Sequence, residues 1–382
     1  MMGMMKVDIQ ITTLMMTITR PDIVPIIQAT RKCNKKCTYC FLGDAEPEDM
    51  SLETTDNIIR KFINYNSFGV RFIWEGGEPL LRPVSYFSFI KKVSDKYNTA
   101  SNKNLKIAHS LQTNGLLLID ETRIKLQEMG FGIAVSYDGD DELQHERKNI
   151  YEENTGLVKA NILSANKTTG LISVITRKSI GKEEKIYKNL KKLVNNASLS
   201  FYFSNGQDKA KIKELRPTPA EAKELHLNFY KLWRDDKESF HLRPYVDIVK
   251  SFLKGVSSRC NYSAISCYKI VGIAPNGDVF NCARAVNIPE MKLGNINEDN
   301  LEDILSAKPR DMILDRYIKL RKENRKYFHL DSGGCPIEAY HRGDIMQPEY
   351  YSKSGVREHL FNLIERDLND KSTFLKLVSK IY

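Results

Sequence analysis

The sequence predicts an α/β protein: a partial (β/α)6 barrel followed by a small cysteine-rich domain. Six short, apolar, β-rich segments alternate with five longer amphipathic segments in the first half of the chain, and four of the seven cysteines lie beyond residue 256. Crossovers of this length return the chain in the same direction, so the strands should be parallel. The six predicted strands are VPIIQAT, VRFIWEG, IAHSLQT, FGIAVSY, LISVITR and LSFYFSN.

The intervening segments carry apolar residues at helical spacing. They are SLETTDNIIRKFINY, PVSYFSFIKKVSDKY, DETRIKLQEMG, TGLVKANILSAN and KEEKIYKNLKKLV. The expected organisation is a lead-in strand at 1–23, the barrel at 24–205, a helical bridge at 206–256, the cysteine-rich domain at 257–345 and a helical tail at 346–382. Ligands of such parallel sheets gather at the carboxyl ends of the strands.

Composition indicates a cytoplasmic protein. No apolar run reaches the roughly 18 residues of a membrane span, and Lys6 and Asp8 interrupt the apolar start, which therefore fails as a signal peptide. The formal charge is +10, much of it in helix-like segments, where a solvated face is the plain interpretation. A positive field also attracts an acidic peptide or a nucleic acid. An odd number of cysteines without an export signal favours metal or redox chemistry over disulfides.

The segment CNKKCTYCFL places three cysteines within eight residues, at Cys33, Cys37 and Cys40. Three thiolates can hold three irons of a [4Fe-4S] cubane and leave the fourth iron open to a ligand. Structural zinc is the alternative, but it takes four ligands, commonly in C-x2-C pairs. Only Cys37 and Cys40 have that spacing, and no histidine is near, so an iron–sulfur site is the better interpretation.

This segment resembles the radical SAM enzymes. Tyr39 precedes the third cysteine, and IWEGGEPLL, LQTNG and VSYDG follow in the family's order. The resemblance implies S-adenosylmethionine bound at the open iron and cleaved to a 5'-deoxyadenosyl radical. It also implies an electron donor such as flavodoxin or ferredoxin.

The resemblance further implies which residues contact the cofactor. Gly76 and Gly77 would let backbone approach its methionine part, and the region of Glu78 and Pro79 would accept hydrogen bonds from its ammonium group. Tyr39 would flank the adenine.

Three residues further along the chain complete this set. Ser136 and Asp138 would bind the ribose hydroxyls, and Arg147 would pair with the methionine carboxylate, although a surface helix position explains Arg147 equally well. Glu75, beside the reaction chamber, is a candidate base or substrate ligand. A strand-end hydrogen bond is its plainer role.

The second set of cysteines is Cys260, Cys267, Cys282 and Cys335. A turn at Gly277 predicts a hairpin that brings Cys267 and Cys282 together. This arrangement resembles the SPASM and twitch extensions of radical SAM enzymes, but it lacks the cysteines of a second auxiliary cluster. We therefore expect one auxiliary [4Fe-4S] cluster, with structural zinc as the alternative.

The two sets use all seven thiols, which leaves no thiol as a hydrogen-atom donor and makes the auxiliary cluster an electron acceptor. The main hypothesis is therefore oxidative crosslinking or dehydrogenation of a ribosomally synthesised peptide or protein. One alternative is a dehydrogenase of a small molecule such as an amino sugar. Sulfatase maturation is another, disfavoured because those enzymes have Asp where this chain has Ala283 and tend to have Gln at the position of Glu75. A zinc-stabilised nucleic-acid-binding protein is the non-enzyme alternative.

Overall fold

The computed structural model describes residues 21–43, 46–144, 146–149, 155–202, 204 and 209–381. Most of the lead-in strand expected at 1–23 lies outside these ranges. A ten-stranded sheet dominates the described residues, in the order β12-β11-β10-β1-β3-β4-β5-β7-β8-β9, and β2 pairs with β6 in a separate ribbon. The strands are β1 Val24–Thr30, β2 Lys35–Cys37, β3 Gly69–Gly76, β4 Lys106–Thr113, β5 Phe131–Ser136, β6 Arg147–Asn149, β7 Gly170–Ile175, β8 Asn196–Phe201, β9 His241–Arg243, β10 Ile270–Ile273, β11 Asp278–Phe280 and β12 Lys292–Asn295.

Five of the six predicted strands correspond to β1, β3, β4, β5 and β7. The sixth, LSFYFSN, overlaps β8 only at residues 199–201, and its residues 203 and 205 lie outside the described ranges. All the pairings between these strands are parallel. The predicted α/β class is therefore confirmed. Each predicted crossover helix is also present, because its apolar residues cover a face of the sheet. In the first of them, Ile58, Ile59, Phe62 and Ile63 are all fully buried.

The described helices are α1 Leu52–Tyr65, α2 Val84–Ser101, α3 Asp120–Glu128, α4 Asp141–Gln144, α5 Thr155–Ser164, α6 Glu183–Leu193, α7 Lys209–Leu215, α8 Pro219–Asp235, α9 Tyr245–Lys254, α10 Ala264–Tyr268, α11 Leu301–Leu305, α12 Asp311–Arg321, α13 Phe328–Asp331, α14 Pro336–His341, α15 Tyr350–Lys353, α16 Val356–Asn369 and α17 Lys371–Ser379. Within the described ranges, no helix combines the length and apolar character needed to cross a bilayer.

Local sequence explains where the helices begin. Ser51 caps α1 by accepting a hydrogen bond from the Thr54 amide. Thr218 and Glu221 form a reciprocal capping box at the start of α8, with Pro219 as its first residue. Both signals stand in the sequence.

The sheet is wider than the sequence predicts. The hairpin of the cysteine-rich domain joins the barrel strands directly, because β10 pairs in parallel with β1 and brings Ile273 beside Ile27. At the other edge, β9 pairs with β8. The strands that extend the sheet are only three or four residues long, too short to show a period in sequence. As a result, β1, which leads into the first cysteine set, and β10, which follows Cys267, are neighbours.

Candidate active site

The first three cysteines follow the carboxyl end of β1, where a ligand site of a parallel sheet is expected. The Cys33 sulfur accepts a hydrogen bond from the Lys35 amide at 3.4 Å, and β2 pairs antiparallel with β6. Burial, together with the neighbouring thiolates, raises the pKa of Cys33 to about 12 and that of Cys37 to about 11. Three half-buried thiols that repel one another as anions suit cationic iron, which stabilises thiolates.

Gly76 and Gly77 bring the end of β3 against the loop that carries the cysteines. The Gly77 amide donates to the Thr30 carbonyl and the Glu78 amide to the Lys32 carbonyl, both at 2.8 Å. A Cβ on Gly76 or Gly77 would lie 2.2 Å from the Thr30 oxygen or 2.1 Å from the Lys32 oxygen. Close contact with the backbone of the cysteine loop therefore explains why glycine is required at both positions. The close approach of these glycines to the cofactor stays a prediction.

Glu78 joins the ends of two strands. Its carboxylate accepts hydrogen bonds from the Leu80 amide at 2.9 Å, the Thr113 hydroxyl at 2.7 Å and the Asn114 amide at 2.7 Å. Burial raises its pKa, and these hydrogen bonds oppose that effect. Asn114 in turn donates to Asn34 in the cysteine loop at 2.7 Å. The GGEP and TNG motifs thus both hold the cysteine loop in place through hydrogen bonds.

Asp138 and Arg147 are paired with each other. The guanidinium donates to both carboxylate oxygens at 2.9 and 3.0 Å, and Asp138 also accepts from the Tyr39 hydroxyl and the Val174 amide. Arg147 is buried and lies over the Tyr39 ring. A surface helix position for Arg147 is therefore wrong. Ser136 and Asp138 are both buried. Their expected contacts with the ribose, and that of Arg147 with the methionine carboxylate, stay predictions.

Glu75 ends β3 beside Gln28 of β1, to which it is aligned in register. Burial raises the pKa of Glu75 to about 7, and the charge of Arg284 opposes the rise. Both side-chain polar atoms of the fully buried Gln28 lack a hydrogen-bond partner. An acid that titrates near neutrality, beside an unsatisfied amide, is suited to exchange protons with a bound molecule.

The four later cysteines come from four separate segments. Cys260 begins a 3-10 helix, Cys267 lies in α10, Cys282 follows β11 and Cys335 precedes α14. Burial raises the pKa of Cys267, and the charges of the other three thiols raise it further. Burial and the nearby thiols also raise the pKa of Cys282 to about 12. The structure therefore brings the second predicted set together in one electrostatic group.

Arg316 of α12 fixes the loop before Cys335. The buried guanidinium donates to the carbonyls of Ser332, Gly333 and Gly334 at 3.2, 2.7 and 3.0 Å, and to that of Gln347 at 3.1 Å. We call this set of four hydrogen bonds the Arg316 clamp.

Sequence reasoning missed three residues of the site: Gln28, Lys35 and Arg316. Gln28 had a usable signal, a polar residue inside an otherwise apolar strand. Lys35 is buried near the charges of Cys37, Asp138 and Glu78, and burial lowers its pKa. Lys35 and Arg316 looked like the many other basic residues of this chain. Only their burial in the fold distinguishes them.

Among the described residues, which include all seven cysteines, no group of three or more His, Cys, Asp and Glu side chains is arranged to hold a single metal ion. A cubane differs from a single ion in spreading its ligands over several metal corners. The residues present fit two iron–sulfur clusters and S-adenosylmethionine. The thiols are grouped in two sets, Gly76 and Gly77 leave no space for a side chain, and the buried cation Arg147 lies beside Cys37.

Comparison with known families gives two matches. The radical SAM superfamily matches residues 27–201, and an iron–sulfur cluster-binding domain, SPASM, matches residues 266–330. The first covers the cysteine loop, the second to fifth predicted strands and parts of the first and the sixth. The second covers Cys267 and Cys282 and favours iron–sulfur clusters over the zinc alternative.

Curated relatives include enzymes named for sulfatase maturation. The cysteine-type anaerobic sulfatase-maturating enzyme of Clostridium perfringens (strain 13 / Type A) is 27% identical over 335 residues, which cover 80% of this chain and 86% of the relative. The serine-type enzyme of Klebsiella aerogenes is 32% identical over 117 residues, 29% of this chain and 28% of the relative.

Solved structures share the fold. Native anSMEcpe with bound AdoMet aligns with a TM-score of 0.79 and 23% identity over 91% of this chain and 99% of that chain. Streptococcus suis SuiB bound to precursor peptide SuiA aligns with a TM-score of 0.57 and 18% identity over 88% of this chain and 77% of that chain. At these identities the likeness supports the architecture alone.

Proposed function

This chain belongs to the radical SAM superfamily and carries a SPASM-type iron–sulfur domain, and on that premise we propose that it oxidises a cysteine side chain of a polypeptide. The match to the cysteine-type sulfatase-maturating enzyme covers most of both chains, whereas the serine-type matches cover about a third or less of either chain. These matches favour sulfatase maturation over the crosslinking of a ribosomal peptide that the sequence first suggested.

The reaction removes two hydrogens from the substrate. A hydrogen atom leaves the Cβ carbon, a proton leaves the sulfur, and one electron leaves with them, so that CH2–SH becomes CH=S. Water then replaces the sulfur to give the aldehyde and hydrogen sulfide. When bound, S-adenosylmethionine and the two clusters supply the acceptor of the hydrogen atom and the acceptor of the electron.

The observation that carries this proposal is Glu75. It is half-buried near the end of β3, its pKa of about 7 lets the carboxylate form at neutral pH, and the positive charge of Arg284, two residues after Cys282, favours that carboxylate. Ala283 stands where sulfatase-maturing enzymes carry an aspartate. We assign the role of proton acceptor to Glu75, in place of that missing acid.

The role of the other residues is to hold and shield the groups. Cys33, Cys37 and Cys40 would hold the cluster that binds S-adenosylmethionine, and the four later cysteines would hold one auxiliary cluster. The cavity beside Cys335 and Arg284 would receive the substrate. A reduced flavodoxin or ferredoxin would supply the first electron.

A second candidate is the oxidation of a different side chain in a ribosomally made peptide, including crosslink formation. Two departures from the sulfatase-maturing pattern favour it: Ala283 after Cys282, and Cys335 as the last cysteine of the sequence. The chemistry at the barrel would be the same up to the loss of the hydrogen atom.

The test uses anaerobically reconstituted full-length protein with S-adenosylmethionine and dithionite. The substrates are a cysteine peptide from a sulfatase active-site segment and matched serine and alanine peptides. We expect the cysteine peptide alone to acquire an aldehyde, detected by mass spectrometry and by hydrazide labelling, with one deoxyadenosine released per event.

Deoxyadenosine release without peptide modification would overturn the sulfatase proposal and leave the second candidate. The same preparation would then be assayed with small peptides encoded next to the gene. A Glu75→Gln variant tested alongside separates hydrogen abstraction, which it should retain, from product formation, which it should lose.

A further inference from the structure

A polar cavity lies between the carboxyl end of β8 and the loop of Cys335. Its volume is about 40 Å3, and its lining includes Ser200, His226, Arg259, Arg284 and Glu338. A cavity of this size holds a group of a few heavy atoms or one to two waters. Arg284, which lines this cavity, is also the cation whose charge opposes the rise in the pKa of Glu75.

Two buried side chains that line this cavity carry a polar atom without a hydrogen-bond partner. His226, 3% exposed, stacks on Phe201, and its Nδ1 has no hydrogen-bond partner. Burial lowers the pKa of His226 to about 3, so the ring is a neutral imidazole at physiological pH.

Glu338 is the second such side chain. It is 2% exposed, and its Oε1 has no partner. Its carboxyl group is hydrogen-bonded to Glu349, which the Arg357 guanidinium pairs at 2.6 Å. Burial and the adjacent anion Glu349 raise the pKa of Glu338, so Glu338 is the protonated partner and Oε1 behaves as a carbonyl-type acceptor.

Donors line the same cavity. Asp247 holds Arg259 in place at 3.0 Å, and Asn261 accepts from it at 3.1 Å. The cavity thus combines guanidinium donors with two unsatisfied atoms on neutral side chains. Leaving such atoms unsatisfied is costly, and a ligand that satisfies both kinds of group gains accordingly.

We infer that this cavity is a subsite for a neutral carboxamide of the substrate, either a peptide bond or an Asn or Gln side chain. The carbonyl oxygen accepts from the arginines, and the N–H donates to Glu338 Oε1 or His226 Nδ1. A carboxylate offers no hydrogen to those acceptors, and an ammonium group meets the guanidinium charges of Arg259, Arg284 and Arg357. This inference rests on the proposed function in taking the substrate to be a polypeptide.

The test measures binding and needs no turnover. Saturation-transfer NMR on the reconstituted full-length protein would use propionamide, propionate and propylamine as probes. We expect propionamide to bind at least about 10-fold more tightly than the other two, and His226→Phe and Glu338→Met each to weaken it about 10-fold, the cost of one unsatisfied buried group. Glu338→Gln keeps a carbonyl oxygen and should bind as the wild type does.

Equal binding of the three probes, or unchanged propionamide binding in both His226→Phe and Glu338→Met, overturns the inference. Iron content and circular dichroism identify a variant that fails to fold, and the two variants alter different elements. Glu365→Gln on the exposed face of α16 is the matched control. If propionamide follows the expected pattern while the sulfatase peptide stays unmodified, the subsite stands and the proposed function fails.

Discussion

In the reaction that we propose, Glu75 accepts the proton, so its ionisation should govern turnover. Its pKa of about 7 means that the carboxylate, the form that accepts a proton, is populated as pH rises through neutrality. Product formation should rise across that range. In Glu75→Gln it should fall by about 100-fold and lose the pH dependence. Deoxyadenosine release should persist, and the two are measured together from pH 5.5 to 8.5.

The same shift has a consequence for stability. Folding raises the pKa of Glu75 from its ordinary value of 4.5, so the folded state favours the protonated acid. The stabilisation is complete below that ordinary value and is lost as pH rises through about 7. Urea unfolding of Glu75→Gln should therefore show a flatter pH dependence than the wild type over this interval. Parallel curves for the two proteins would contradict the assignment.

Asp138 fixes the cysteine loop through Arg147 and Tyr39. Asp138→Asn keeps the size but removes the charge, and it leaves the buried guanidinium of Arg147 without its anion. Breaking a buried pair in this way costs about 3–5 kcal/mol. Thermal unfolding should register this loss, and the apparent Kd for S-adenosylmethionine should rise. The exposed pair of Glu121 and Lys125 offers a control, since Glu121→Gln should leave the melting temperature close to that of the wild type.

The segment before Cys335 is positioned by its backbone as well as by the Arg316 clamp. Gly334 has φ +79°, and a Cβ there would lie 1.8 Å from Glu349 Cγ. Gly334→Ala should therefore displace Cys335. Iron should fall from about eight to about four per chain, because only the first cluster would remain. Deoxyadenosine release should continue.

Gly343 provides the matched control in the same domain. Its φ is +102°, and a Cβ there would meet nothing within 4 Å. Gly343→Ala should be strained by about 1 kcal/mol but keep all its iron. If both variants keep full iron content, or both lose it equally, the steric explanation for Gly334 is wrong.

Across the whole molecule, sequence periodicity was enough to predict the barrel. Six strands and five crossover helices had visible apolar spacing, and the structure has each of them. The contact of β10 with β1 was not predictable in this way, because β10 is four residues long and its partner is far along the chain. Short strands take their pairing from tertiary packing, which no local pattern encodes.

The candidate site was also predictable only in part from the sequence. Both cysteine sets and the glycines after β3 were visible as motifs, because their chemistry demands particular residue types. The polar network behind them was not, since Gln28, Lys35 and Arg316 acquire their roles from burial alone. The pairing of Asp138 with Arg147 also depends on β6 folding back onto β2.

All of the proposed chemistry depends on a cluster that Cys33, Cys37 and Cys40 would hold, with one open iron that binds S-adenosylmethionine. The most direct measurement is deoxyadenosine release under dithionite by anaerobically reconstituted wild type, Cys37→Ala and Cys267→Ala proteins. We expect release by the wild type and by Cys267→Ala, and none by Cys37→Ala. Release that persists without Cys37, or that never occurs in an iron-loaded wild type, would contradict this expectation.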